Sequence, residues 1–363
     1  MSGLNKQSDS KFSRRKFLQV SSAALGAAGA LALTGCQSAA STAMAAAPTA
    51  VAGSTVPLNQ TYVWLCAVTS IAFWIDGRKG MDAAGKALGV KTVFTGPEAY
   101  DASQQLTALD SLIAQKPAGI MIFPADPVSL SDSMKNAMKA GIPVICVNSD
   151  VTDTTARYGF VGPNNRGVGQ VGGQIVVDLL QGNGNVAIMT VPGIEVHEDR
   201  KGGYMDIFAK NPGIKVLDVA DDKSDPATGL TVAEQLISAY PNLDLIVGTD
   251  ATAGAAIGRA LKETGKAGKI KCVSMDHDAD LLPYIADGTI SATLAQNSVM
   301  EEWMATYFLY WLTNNTIPAF ADDWRTVGAP QAPKNTDTGV SVVTKANVQY
   351  YMAAAAATPT ANP

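Results

Sequence analysis

The amino-acid sequence predicts an α/β protein of two lobes, each a doubly wound parallel sheet. Three observations lead there. Short apolar runs alternate with stretches of helical spacing over most of the 363 residues, the pattern of repeated strand–helix–strand units. The alternation runs through one series up to Val161 and then starts afresh, which fits two successive sheets better than one. Finally, 47% hydrophobic residues in a chain of this length suffice to fill two cores.

The first series opens with the continuous apolar run Tyr62 to Val68, followed by helical spacing from Phe73 to Leu88 and an apolar return at Val90 to Phe94. A helix begins near Asp101, where Gln104 completes a capping box, and leads to a strand at Gly119 to Phe123. Asp126-Pro127 offers an N-cap oxygen and a proline at the first helical position, for a helix ending at Gly141 before the strand Pro143 to Val147. After Tyr158 to Val161 the second series follows. It places helices from about Arg166, from Asp199, over Ala227 to Ala239 and over Thr252 to Thr264, with strands at Val186 to Val191, Lys215 to Val219, Leu243 to Gly248, Ile270 to Met275 and Ile290 to Ala295. Right-handed crossovers put helices on both faces of such sheets, and ligands gather at the carboxyl ends of the strands. The polar residues just past those ends are therefore the first candidates for function.

The N-terminus carries two addresses. Ser13-Arg14-Arg15-Lys16-Phe17-Leu18 resembles a Tat export signal, and Leu33-Thr34-Gly35-Cys36 resembles the lipobox at which bacterial lipoproteins are cleaved and lipidated on cysteine. The apolar stretch between them is too short and too rich in Ala and Gly for a membrane span, so residues 1–35 read as a signal peptide and Cys36 as the lipid attachment point. Residues 36–57 form an uncharged tether, and 350–363 a loose tail. The expected location is the outer face of the cytoplasmic membrane. Cleavage removes five basic and one acidic residue, taking the counts from 27 and 32 to 22 and 31, a balance of −9. That disfavours nucleic acid as a partner. Cys66, Cys146 and Cys272 lie in strand-like runs and read as buried thiols, with one disulfide plus a free thiol as the alternative.

Phe73-Trp74 after the first strand, Pro124-Ala125-Asp126-Pro127 after the third, Gly141-Ile142-Pro143-Val144 before the fourth, then Gly248-Thr249-Asp250, Ser274-Met275-Asp276 and Ala292-Thr293-Leu294-Ala295-Gln296 occur in one order. That order resembles the ribose-binding-protein-like (type I) family of sugar ABC transporter substrate-binding proteins, and the resemblance covers residues 58 to 349. It implies a type I periplasmic binding protein fold with a three-strand hinge, lobe 1 from 58–161 plus 297–336 and lobe 2 from 162–296 plus 337–349. It also implies a neutral sugar or polyol held between the lobes, no cofactor, a monomer, and delivery to an ABC permease. The alternative is a sensor of the same fold acting on a membrane receptor.

Carried over by residue, the resemblance makes Phe73 and Trp74 stacking aromatics, suited to the apolar face of a sugar ring. Asp276 and Gln296 become hydroxyl-binding groups. For Asp276 the competing role is a helix cap on the loop to Asp280. Elsewhere the chain departs from ribose binders. Asn148-Ser149-Asp150 replaces Asp-Arg, Glu198 with His197 and Arg200 nearby replaces an arginine, and Phe123 replaces a polar residue, so two guanidinium forks are missing and one aromatic is added. The candidate set is thus Phe73, Trp74, Phe123, Asn148, Asp150, Glu198, Arg200, Asp250, Asp276 and Gln296, with Thr249, Asn164 and Asn165 behind them.

Other chemistries find less support. Gly167-Val168-Gly169-Gln170-Val171-Gly172 spells a dinucleotide fingerprint, but its glycines fall inside a helix, where close packing of helix on strand explains them. Asp276-His277-Asp278-Ala279-Asp280 lacks the glycine and glutamate of a calcium loop, and His197 with His277 are too few for a catalytic zinc site. The series Trp303, Tyr307, Tyr310, Trp311 reads as a packing stripe against the first sheet.

Overall fold

Strands form where the apolar runs are continuous, because a strand covered by helices on both sides has no face left for polar residues. The computed structural model describes residues 59–314, 324–328 and 330–356. The signal segment, Cys36, the tether to residue 57 and the last seven residues lie outside the described residues. β1 (Thr61–Leu65), α1 (Trp74–Leu88), β2 (Lys91–Thr95), α2 (Ala102–Gln115), β3 (Gly119–Ile122), α3 (Ser131–Lys139), β4 (Val144–Val147) and β5 (Gly159–Gly162) make up the first series. The second comprises α4 (Asn165–Leu179), β6 (Gly184–Thr190), α5 (Glu195–Phe208), β7 (Ile214–Asp221), α6 (Pro226–Ala239), β8 (Leu245–Gly248), α7 (Ala253–Glu263), β9 (Lys271–Met275), α8 (Leu282–Asp287) and β10 (Ala292–Ala295). The chain closes with α9 (Ser298–Asn314), α10 (Trp324–Val327), β11 (Asn335–Asp337), β12 (Ser341–Val343) and α11 (Val348–Ala356).

The two sheets repeat one plan. Their orders are β11-β5-β4-β3-β1-β2 and β12-β10-β9-β8-β6-β7, parallel throughout except for the antiparallel β12 edge. In each, the first strand of the series sits between the second and third, which makes the carboxyl end of that pair a switch point where a crevice opens. Alternate side chains serve opposite faces. In the first sheet Trp64, Met121 and Ile145 meet α1 and α9, while Val63, Ile120 and Val144 meet α2 and α3. The chain passes between the sheets three times, after β5, after β10 and between β11 and β12. Asp337 ends β11 opposite Gly162 and so belongs to the first sheet, one residue later than the sequence reading put the change.

Capping chemistry decides where the helices begin and where they depart from the pattern of the sequence. Asp101 accepts from the backbone N–H groups of Ser103 and Gln104 and starts α2, but the Gln104 amide returns to the Asp101 carboxylate instead of its backbone N–H. Asp126 accepts from Val128 and Ser129 and closes a turn, and α3 begins five residues later without a side-chain cap. Residues 350–356 are helical and not loose, because Asn347 caps the turn before α11 and Val348 and Tyr351 pack on the second sheet's core. Cys66, Cys146 and Cys272 are free and buried.

The glycines of α4 serve helix on helix, not helix on strand. A Cβ on Gly169 would stand 1.9 Å from the carbonyl oxygen of Arg200, and one on Gly172 would stand 2.1 Å from the Tyr204 hydroxyl. On the facing helix, a Cβ on Gly203 would come within 2.1 Å of the Arg166 carbonyl oxygen. The aromatic stripe of α9 splits, with Tyr310 and Trp311 packed against the first sheet's core and Trp303 turned away from it. The buried face of the helix is Glu301, Glu302, Ala305, Phe308, Leu309 and Leu312, while Trp303 is 39% exposed and stacks on Tyr307 at 4.1 Å.

Candidate functional site

The carboxyl ends of β1, β3 and β4 face those of β8, β9 and β10 across a cavity with about 330 Å³ of empty space, part of it open to solvent. The first sheet contributes Phe73, Trp74, Tyr100, Phe123 and Asn148, and the second contributes His197, Arg200, Ser224, Asp250, Asp276 and Gln296. One wall is aromatic. Trp74 packs at 4.6 Å from Phe73 and 5.0 Å from Phe123, and its other edge meets Trp64 in the core at 5.4 Å. Both Phe73 and Trp74 line the cavity because they straddle the uncapped start of α1, before helical periodicity separates them.

The opposite wall is polar, and it is unusual for what it leaves unpaired. Asn148 and Asp276, the strand-end residues of β4 and β9, both adopt the left-handed conformation with φ of 61° and 65°. Asn and Asp tolerate that region best, and such residues cluster at functional positions. Asn148 donates its amide to Glu302 Oε1 at 2.7 Å, so its Oδ1 remains without a partner. Gln296 donates to Asp276 Oδ1 at 2.8 Å, and its own Oε1 is likewise unpaired. Asp276 is 2% exposed, and burial raises its carboxyl above the ordinary carboxylate range against the pull of Arg200. It is no helix cap. The first N–H groups at α8, those of Leu281 and Leu282, go to the backbone carbonyl of Asp278.

Asp250 divides its labour. Oδ1 accepts from Thr252, Ala253 and Ser224, which starts α7 and pins the neighbouring loop, while the Asp222 carboxyl hydrogen-bonds the same Asp250 side chain. Burial and the neighbouring Asp250 charge raise the Asp222 carboxyl well above the ordinary carboxylate range. Arg200 is 4% exposed, with Nε on Asn165 Oδ1 at 3.0 Å and Nη1 on the Thr249 carbonyl at 2.9 Å. One guanidinium that the sequence reading counted as missing is thus present. Asn165 also donates to the Asn148 carbonyl at 2.9 Å, linking the two sheets.

Two candidates fall outside the cavity lining. Asp150 is held by the Arg157 guanidinium through both carboxylate oxygens, and Arg157 also reaches the Lys334 carbonyl and Asn335. Glu198 pairs with Lys201 at the surface and accepts from Gly193 N–H. The cause is the start of α5, which begins at Glu195 and not near Asp199, because Ile194 at its N-cap offers no side-chain signal. Two residues of helix turn the chain by about 200°, so Glu198 faces away when Arg200 faces in. Asn164 caps α4 through Gly167 N–H, and Thr249 bonds Thr190 at 2.8 Å. Tyr100 and Ser224 lie in loops, without periodicity to mark them. Glu195, whose Oε2 accepts from Ser149 and Asp150 of the first sheet's β4 end, is acidic in a first helical turn and so looks like an ordinary dipole partner in the sequence.

Buried polar atoms without partners are rare in folded proteins, and several of those among the described residues belong to side chains lining this cavity: Trp74 Nε1, Asn148 Oδ1, the His197 ring nitrogens and Gln296 Oε1. Their arrangement suits a small polar guest with one apolar face. Comparison with known proteins agrees. Residues 62–316 match the family described as Periplasmic binding protein domain. A xylitol-binding protein of Mycolicibacterium smegmatis is 32% identical over 63% of this chain and 66% of its own length, just under two thirds. The crystal structure of a sugar-binding protein of a sugar ABC transporter from Bacillus halodurans superposes with a TM-score of 0.71 at 34% identity, covering 80% of this chain and 100% of that one. A solute-binding protein from Burkholderia graminis, solved with D-arabinose, gives 0.72 at 29% identity over 79% of this chain and 96% of its own. On the strength of a match to most of the described chain, the protein belongs to the periplasmic binding protein family, among its ribose-binding-protein-like members, and is a binding protein and not an enzyme.

Proposed function

We propose that this chain is an extracytoplasmic lipoprotein that captures a neutral sugar or polyol between two lobes and delivers it to an ABC importer. The lobes are residues 58–162 with 297–337 and 163–296 with 338–349, the boundaries set by the β5–β11 pairing, and Cys36 carries the lipid after Tat export. The observation that carries the reading is the set of unpaired polar atoms facing an aromatic wall. Acceptors outnumber donors in that set, which favours a guest rich in hydroxyl donors. With Asp250 and Asp276 set against the single cation of Arg200, the lining repels phosphorylated and carboxylated sugars. The relatives named for xylitol and D-arabinose put five-carbon polyols and pentoses first. Groups drawn from both sheets bind together only when the lobes are closed, so the guest shifts the population toward a closed form that the permease can recognise.

Tryptophan fluorescence tests the reading, because Trp74 lies in the cavity wall. Titration with xylitol, D-arabinose and D-ribose is expected to change the emission saturably, and Trp74→Ala to weaken binding by about tenfold or more, the worth of one lost stacking and burial contact. Binding confined to sugar phosphates or uronates would contradict it. Asp150→Asn is expected to show the opposite balance. Breaking the largely buried pair with Arg157 costs about 2–4 kcal/mol of stability, seen by calorimetric unfolding, while affinity stays within about threefold. A large loss of affinity with unchanged stability would return Asp150 to the ligand contacts.

A further inference from the structure

We propose that His197 is a specificity-determining contact, whose imidazole hydrogen-bonds a hydroxyl of the bound sugar or polyol on the side of the cavity that Asp250 lines. The inference rests on the binder reading and deepens it. His197 stands in the first turn of α5, is 4% exposed and lines the cavity. Both its nitrogens are buried without a well-aligned hydrogen bond, the Thr249 backbone being the one protein group among the described residues within reach of the ring. A neutral imidazole carries one donor and one acceptor, and a histidine kept for packing alone would have both met by the core.

The surroundings keep the ring uncharged. Burial is the largest influence and pushes the imidazole down to about 4, with Arg200 acting the same way, against the opposing pull of Asp250, the Thr249 backbone and Glu198. The N-terminal end of a helix also disfavours a cation. A neutral ring near the Asp250 carboxylate matches a hydroxyl, which both donates and accepts, and mismatches a ligand carboxylate or phosphate. Substrates lacking the hydroxyl at this position leave the ring unpaired and are rejected.

The test is a set of calorimetric dissociation constants for the intact mature chain and for His197→Ala, His197→Phe and His197→Gln. The probes are xylitol, D-arabinose and D-ribose, followed by the monodeoxy analogues of the tightest of them. In the wild type one deoxy analogue is expected to bind about 30-fold more weakly than its parent. In His197→Ala and His197→Phe the parent falls to the level of that analogue, within about threefold, while the penalties at other hydroxyls persist. His197→Gln, which both donates and accepts, restores the parent to within about fivefold. His197→Phe fills the same space, so it reads the contact even if the alanine variant folds poorly. Unchanged affinity in His197→Phe, or equal losses for parent and every analogue, would overturn the assignment and leave the binder reading standing. A wild type that binds none of the probes overturns both.

Discussion

Asp276→Asn is expected to weaken sugar binding by about 100-fold and to leave the ligand-free melting temperature unchanged or raised. The two halves of that result have separate causes. Asn tolerates the left-handed backbone at this position, so the strand end keeps its shape. Burial already raises the Asp276 carboxyl, so replacing it by a neutral amide relieves a desolvation cost in the empty protein. With Gln296 donating to Oδ1, however, the amide presents a donor to the cavity where the carboxylate presented a second acceptor. A hydrogen bond to a charged group is worth about 1.5–3 kcal/mol, and here it is replaced by donor facing donor. Titration calorimetry and ligand-free unfolding on the same sample separate the effects. A collapse of stability with affinity largely kept would make Asp276 structural.

Gly169→Ala is expected to damage both stability and binding, although Gly169 does not line the cavity. Its Cβ would meet the Arg200 carbonyl at 1.9 Å and Gly203 Cα at 3.0 Å, both backbone atoms that no rotamer can move aside. α4 and α5 must part, at a cost of about 3 kcal/mol, or a melting point lower by about 5–10 °C. Because the same turn of α5 carries His197 and Arg200, separation also draws the polar wall back, and affinity is expected to fall by about tenfold or more. Scanning calorimetry with and without ligand checks both. A variant of wild-type stability would show that the helices do not need the contact.

The fold was legible because doubly covered parallel strands write themselves as apolar runs. Tyr62 to Leu65 and Leu245 to Gly248 could hardly be anything else. Helix starts were harder, and the site suffered for it. α5 begins at an uncapped isoleucine, so the reading placed its first turn too late and preferred the surface residue Glu198 as the candidate that replaces the family's arginine. Asp150 shared a tripeptide with Asn148, but its partner Arg157 is set by the return of the chain through β5, which no local pattern reveals. Glu302, which orients the Asn148 amide, sits on the buried face of a helix whose aromatic stripe gives no sign of a carboxylate turned inward. Residues at strand ends were found by their order in the chain. Residues on loops or acting through a neighbour needed the fold.

The most direct test is a thermal-shift screen of residues 58–363 against neutral pentoses, hexoses and linear polyols, run beside the matching sugar phosphates and uronates. A ligand at 100 times its dissociation constant stabilises by about 2.7 kcal/mol, and such a rise is expected for at least one neutral pentose or pentitol and for none of the charged sugars. A well-folded protein that answers only to charged sugars, or to none of them, would contradict the binder reading.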